Sequence, residues 1–398
     1  SLVTEDLEGY AQAVRQDSAE EDLLFLGTEM GLWISVDAGA SWARFEQGIP
    51  PKVSVRDLDI QEPTRSLAIA THGRGAWILD DLTPLRALAG AETLEQDLTV
   101  LPAKPAVMRL GSDLGGFPAH DDFVAPNPPE AASIYYHLAK RHLFGDFLVR
   151  VYDAEGELIQ ELPAGMRKGI NRVTWPMRLE APKVPPAGAL VPAFEGPRVP
   201  EGTYRVEIVK KDSVFETEVE LVADPRNPYS AEDRKLQQET ALRLYRDLEE
   251  LTYIAESLTA LKEEAEARAE DLGGRRARRL REYAEELEAF RKTLVATSPA
   301  GWLSGQEELR EDLGNLYAAV NGFAGRPTNS QLDRLDRLEE ELREAGERFR
   351  ELTGEPLERV NRGLDEPLEV PSREEWEAEK GGAPGSMAGW HGRSWRLF

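Results

Sequence analysis

The residues best suited to chemistry in this chain lie in short polar turns near its start: Glu29, His72 and Arg74. An imidazole exchanges protons near neutral pH, and a guanidinium holds a carboxylate through two parallel hydrogen bonds. Glu29 can add a carboxylate if the fold brings the turns together. Each type also has a plainer use. An arginine in Gly-Arg-Gly between strands often pairs with a local aspartate, and a loop histidine can cap a backbone carbonyl. A second cationic group, Arg275-Arg276 with Arg278-Arg279, sits beside a Gly-Gly turn and can hold an anion, although a solvated helix face is the simpler reading. The 398 residues include no cysteine, which excludes disulfides, a thiolate nucleophile and cysteine-ligated metal. No cofactor and no metal is expected.

These turns need strands to hold them, and a repeat supplies the strands. Gly31 and Gly75, Trp33 and Trp77, Ile34 and Ile78, and Asp37 and Asp81 are each 44 positions apart, while Thr28 and Thr71 are 43 apart. A period of about 40 to 50 residues made of short strands is the mark of propeller blades. The first copy predicts strands over 12–15, 23–28, 31–36 and 42–46, and the second over 55–60, 66–71 and 76–79, with no clear fourth. The first copy ends in Ser35-Val-Asp37-Ala-Gly39-Ala-Ser-Trp42. An aspartate in a tight hairpin accepts bonds from nearby amides, Gly39 can take positive φ, and Trp42 can cover the turn.

That Ser-x-Asp-x-Gly-x-x-Trp spacing resembles the Asp-box of sialidase-like (BNR) repeats. The wider segments Leu24-Phe-Leu-Gly-Thr-Glu29 and Ala70-Thr-His72-Gly-Arg74-Gly-Ala-Trp77-Ile-Leu-Asp80-Asp81 resemble the end of the propeller in bacterial BNR-repeat or sortilin-type glycosyl hydrolases. The strong likeness covers about the first 85 residues, and a weaker one in element order continues beyond. The resemblance implies a structural role, remote from any active site, for Ser35, Asp37, Gly39 and Trp42. It implies a secreted or periplasmic bacterial protein, and a glycan or polypeptide ligand. Consecutive blade strands run antiparallel, so the Asp37 turn faces away from Glu29-Met30 and from His72-Gly-Arg74, while 47–52 should share their face. Glycoside hydrolysis needs two carboxyl groups across a sugar bond, or a tyrosine nucleophile with an arginine cluster. Two blades complete neither set. Catalytic residues stay unassigned, any glycosidase chemistry is expected in missing blades supplied in cis or by a partner, and this chain alone is expected not to turn over glycosides.

The expected organisation is β plus α: two blades over 1–88, a linker over 89–105, an immunoglobulin-like or fibronectin-like sandwich over 106–225, an antiparallel helical bundle over 229–353, and a flexible tail with an aromatic end over 354–398. Alternating segments at 132–138, 147–152, 157–161, 171–175, 202–209 and 214–222 support the sandwich, and Gly169-Ile-Asn-Arg-Val-Thr-Trp175 and Pro200-Glu-Gly-Thr-Tyr-Arg-Val206 look like bacterial Ig-like modules. The proline-rich stretch 182–200 reads as a long loop, either mobile or packed on a neighbour. From Ser230 the period turns helical. Leu236, Leu242, Tyr245, Leu248, Leu251, Ile254, Leu258 and Leu261 form one stripe, with further helices over 275–295, 306–321 and 329–352. The stripe supports an alternative function, an assembly module in which the bundle forms a homodimer. Trp390 to Phe398 reads as a docking peptide on a Gly-rich spacer.

A formal charge of −25 argues against nucleic acid or an anionic membrane as the main partner. No apolar run approaches a membrane span, and no leader is visible at Ser1. The start inside a repeat array leads us to expect an N-terminal portion beyond it.

Overall fold

The computed structural model describes residues 7, 9–45, 48–89, 96–109, 130–185, 195–297 and 308–380. The chain combines several antiparallel sheets with a helical C-terminal region. It divides into two units. One comprises Ser1–Met108, Pro128–Pro176 and Glu201–Ala223, the other Arg109–Asn127, Met177–Pro200 and Asp224–Phe398.

In the strand unit, short apolar runs broken by glycine and aspartate form two meanders. β1 (Ala11–Gln16), β2 (Leu24–Thr28), β3 (Gly31–Ser35) and β4 (Ala43–Phe45) make a four-stranded sheet in chain order. β5 (Val55–Gln61), β6 (Ser66–Thr71) and β7 (Ala76–Leu79) make a three-stranded one, so the second copy has no fourth strand. One face of the first sheet, with Phe25, Leu32 and Ile34, packs on one face of the second, with Val55, Leu58, Leu67 and Ile69. Gly27 fits there because a Cβ would stand 2.7 Å from Val55 Cγ1. Leu82 and Leu85 join this core at α1 (Thr83–Leu88), which carries Pro84 in its first turn.

β8 (Leu98–Leu101) and β9 (Ala106–Met108) follow, then β10 (Ala132–Leu138), β11 (Phe147–Tyr152), β12 (Leu158–Pro163), β13 (Gly169–Trp175), β14 (Gly202–Lys210) and β15 (Ser213–Ala223). They form a three-stranded sheet, β13-β10-β8, and a five-stranded one, β12-β11-β14-β15-β9, in which β9 is parallel to β15. Rings from one sheet meet rings from the other, Trp175 on Tyr204 at 4.9 Å and Tyr136 on Phe147 at 5.6 Å. Part of the expected linker is therefore a strand. Leu98 and Leu101 are buried by pairing with β10, a long-range contact that an Ala- and Leu-rich local composition does not reveal.

The helical unit holds α2 (Ala231–Asp271), α3 (Gly274–Leu294), α4 (Leu309–Asn321), α5 (Asn329–Thr353), α6 (Glu355–Asn361) and α7 (Arg373–Lys380). Ser230 and Asp233 form the capping box that starts α2. Of the expected stripe, Leu248, Leu251, Ile254, Leu258 and Leu261 are buried in one core with Leu280 and Leu287 of α3, Leu313 of α4, and Leu338 and Phe349 of α5, Tyr245 packs against that core, and Leu236 and Leu242 are half-buried. The stripe is covered within the same chain, which removes the argument that it faces a second subunit. The described parts of the proline-rich stretch, 182–185 and 195–200, sort with the helices. Tyr317 donates to the Glu195 carbonyl at 2.5 Å, Thr252 to the Lys183 carbonyl at 2.8 Å, and Lys183 pairs with Glu256 at 2.8 Å. The tail expected to be flexible from 354 is ordered through α7. Leu357, Leu368 and Trp376 are buried, and Tyr253 donates to the Pro371 carbonyl at 2.9 Å. Glycine and proline around these short helices mask a few well-spaced anchors: Leu357 and Leu368 enter the helical core, and Trp376 meets Tyr253 of α2. The segment 381–398 and the docking role expected for its end lie outside the described residues.

Candidate functional site at the hairpin end of the two meanders

β1 and β5 start opposite the second hairpin of their own sheets, with Ala11 beside Thr28 and Val55 beside Thr71. The two strands also lie side by side. Arg56 donates to Gln12 at 3.3 Å, and Arg15 pairs with Asp57 at 3.4 Å. The Glu29-Met30 turn and the His72–Gly75 turn therefore occupy the same end of neighbouring sheets. The connection into β5 reaches that end too, since the His72 amide donates to the Ser54 carbonyl at 2.9 Å. Residue 47 of the expected 47–52 loop lies outside the described residues.

The turn that carries His72 and Arg74 is built by its glycines. Gly73 and Gly75 have φ of +73° and +74°, a region that side chains with a Cβ disfavour. The Thr71 amide closes the turn on the Gly75 carbonyl at 3.1 Å, and Trp77 Nε1 donates to the Arg74 carbonyl at 3.0 Å. With its backbone so engaged, the turn presents its side chains outward. His72 and Arg74 are exposed, and neither side chain has a hydrogen-bond or ion-pair partner among the described residues. Arg74 is thus not held by a local aspartate, and its guanidinium is open to an anion. Glu29 is half-buried. Arg44, which the residue types alone did not single out, belongs to this end: it donates to the Met30 carbonyl at 2.7 Å and packs by Gly31. Its signal was a charge facing Trp33 across β3 and β4.

The Asp37 turn occupies the opposite end, where the Ala38 amide donates to the Asp22 carbonyl at 3.0 Å. Ser35, buried, donates to Asp37 at 2.7 Å and accepts from the Gly39 amide at 2.8 Å. Asp37 also accepts from the Ser41 amide at 2.8 Å and from its hydroxyl at 2.5 Å. Gly39 has φ of +88°, and Trp42 packs over it. Burial is the largest single influence on the Asp37 carboxyl and pushes it up, but the bonds from Ser41, Ser35 and the Ala40 amide together outweigh it and hold the group below its ordinary range. A lowered folded value means stability that is present at neutral pH and lost as pH falls through that value. Asp37→Ala should cost about 1–2 kcal/mol at pH 7. In urea titrations the gap between variant and parent should shrink below about pH 4; a gap that is constant with pH would refute the assignment.

This end is latched by a residue that spacing did not single out. Arg86, from α1, donates to Asp17 at 2.9 and 3.1 Å and to Glu62 at 3.0 and 3.2 Å. Asp17 and Glu62 lie in the corresponding turns after β1 and β5, so one guanidinium ties both sheets.

Among the described residues no group of three His, Asp or Glu can hold a metal, and no helix is long and apolar enough to cross a membrane. An open cleft of about 480 Å³ lies on the helical unit, lined by Phe290, Leu294, Leu309, Glu344 and Ala345.

No family model matches the chain, and no curated protein matches it. Among solved structures, the crystal structure of a mutant of Salmonella alpha-2-macroglobulin matches at 12% identity and a TM-score of 0.19. The match covers 50% of this chain and 12% of that one, and a likeness this low carries no argument about fold or function.

Proposed function

We propose that the two meanders are consecutive blades of a larger sialidase-like (BNR) or sortilin-type propeller, and that the end carrying Glu29, His72 and Arg74 binds a glycan or polypeptide bearing a carboxylate. The observation that carries this reading is the way one repeat packs on the next. Phe25, Leu32 and Ile34 of the first sheet are buried by the second, while their counterparts Ala68, Ala76 and Ile78 are exposed, as the last face of an unfinished array would be. The exposed, unpaired Arg74 supports the choice of end and of an anionic group. The sandwich-like pair of sheets and the helical unit then serve as appended modules, and glycosidase chemistry, where the whole protein has it, belongs to blades beyond this chain.

Titration calorimetry with sialylated oligosaccharides and with carboxylate-terminated peptides tests this. Arg74→Ala should weaken binding about tenfold or more, the scale of a charge-assisted pair. His72→Ala should weaken it less, and Asp37→Ala should leave affinity unchanged. Binding indifferent to Arg74 and His72 would refute the choice of end. Turnover of an aryl glycoside abolished by Glu29→Gln would refute the placement of chemistry elsewhere.

A further inference from the structure

A cationic and apolar surface stands at another place on the strand unit, and nothing in the repeat explains it. The loop 139–146 leaves β10 where that strand pairs with the start of β13, so it neighbours the loop 164–168 that leads into β13. Leu143 and Phe144 at its tip are 63% and 80% exposed, and Met166 and Ile170 beside it are 43% and 40% exposed. These are four of the eleven large apolar side chains exposed among the described residues, gathered at one end of two adjoining strands. Lys140, Arg141, Arg167 and Lys168 flank them and are exposed. Lys211 comes in from the turn after β14, its amide bound to the Asp146 carbonyl at 2.9 Å. Asp146, Asp212 and Asp97 are the exposed carboxylates there, and Asp97 is paired with Lys210 at 2.6 Å.

The loops are held stiffly from beneath. His142 is 6% exposed; its amide donates to the Met166 carbonyl at 3.0 Å, its Nε2 meets the Gly145 carbonyl at 3.0 Å, and its ring packs at a tilt against Phe147, centroids 5.0 Å apart. Asn171, also buried, donates to the Arg167 carbonyl at 2.7 Å and accepts from the Arg167 amide at 3.2 Å. Gly145 has φ of +90° and lies against the Lys211 stem. Buried polar groups thus fix two loops whose outward side chains are almost all apolar or basic. Folding alone does not call for that combination, because exposed Leu and Phe at a rigid tip gain nothing from the chain's own core.

We propose that this loop end docks on an anionic phospholipid bilayer, Leu143 and Phe144 entering the interface and the lysines and arginines meeting the head groups. A projecting apolar tip with a basic collar supplies the two signals that stable surface binding requires, and a fluid bilayer receives a knob without a preformed hole. The chain's charge of −25 does not forbid it. At physiological ionic strength fields decay over about 8 Å, so the local excess of cations governs contact and remote carboxylates are screened.

The test uses the whole chain and vesicles of phosphatidylcholine with about 30 mol% phosphatidylserine, an anionic surface of the kind basic patches recognise. Co-sedimentation should show binding that weakens as salt rises and is at least about tenfold poorer on pure phosphatidylcholine. Phe144→Asp and the pair Lys140→Glu with Arg141→Glu should each reduce it about tenfold, and thermal melts should show both variants folded. Leu143→Trp should shift its emission to the blue on the anionic vesicles alone. Absence of binding, or binding that ignores Phe144→Asp in a folded variant, overturns the proposal. So does selective capture of a glutamate–tyrosine copolymer with no affinity for vesicles, which would make the surface a site for acidic polypeptide.

Discussion

Replacing Arg86 by alanine is expected to destabilise the strand unit by about 3–5 kcal/mol, the cost of leaving a buried carboxylate without its counter-charge. The Asp17 side chain is fully inaccessible and that of Arg86 is 13% exposed. Asp17 keeps bonds from the Ala19 and Glu20 amides at 2.9 and 3.0 Å, but those dipoles do not replace a unit positive charge. Arg86→Lys should recover part of the loss, because an ammonium reaches one carboxylate where the planar guanidinium reaches two. Glu62→Gln should cost far less than Arg86→Ala, since Glu62 is half exposed and its pair is screened. Urea unfolding followed by tryptophan fluorescence measures all three. A loss below about 1 kcal/mol for Arg86→Ala would mean that the amides alone satisfy Asp17, and the latch would be unnecessary.

The second large effect concerns pH. Burial, the main cause, pushes the Asp247 carboxyl from its ordinary 3.8 up to about 7, and the Glu339 carboxylate adds to the rise. Arg243 and Arg246 pull it back only in part, for Arg243 is already occupied by Glu339 at 2.6 and 2.7 Å and by Asp336 at 2.9 Å. Asp247 Oδ2 is buried without a partner. The folded state therefore keeps a proton that the unfolded chain has lost, over the interval from 3.8 to about 7. Stability of the helical unit should fall as pH rises through that interval and level off above it. Asp247→Asn keeps the shape and removes the charge. It should raise stability at pH 8 by about 2–4 kcal/mol and change it little at pH 4, since each tenfold difference in proton affinity between folded and unfolded chain is worth about 1.4 kcal/mol. Denaturant midpoints at the two pH values give the comparison. An equal effect at both would show that the carboxylate is solvated in the folded chain.

Much of the local structure was legible. The runs at 132–138, 147–152, 66–71 and 76–79 are strands with the bounds their alternation predicts, because a half-buried strand writes its period of two into the sequence. Ser230 and Gly273-Gly274 mark helix ends for an equally local reason, the unmet amides and the backbone freedom that termini demand. The Asp37 turn was legible as a hairpin closed on its own carboxylate, since the groups that bond to Asp37 lie between residues 35 and 41.

What was not legible depends on partners far apart in the chain. Residues 98–101 became a strand through β10, and 177–185 with 195–200 went to the helices through Tyr317, Thr252 and Glu256. The stripe on α2 announced that something covers it, and only packing decided that α3, α4 and α5 do. The same division runs through the candidate sites. By itself the sequence determined which turns carry Glu29, His72 and Arg74, and which turn is the self-satisfied Asp37 hairpin, because turn chemistry is set by residues within a few positions. The repeat and the antiparallel alternation of its strands also put the Glu29 and His72–Arg74 turns on one face; the tertiary structure alone gave Arg86 both Asp17 and Glu62, and gathered cations from three separate loops around Phe144. Each of those is an encounter across 24 to 69 or more positions, and a net charge of −25 or a local period has no means of recording where such distant side chains meet.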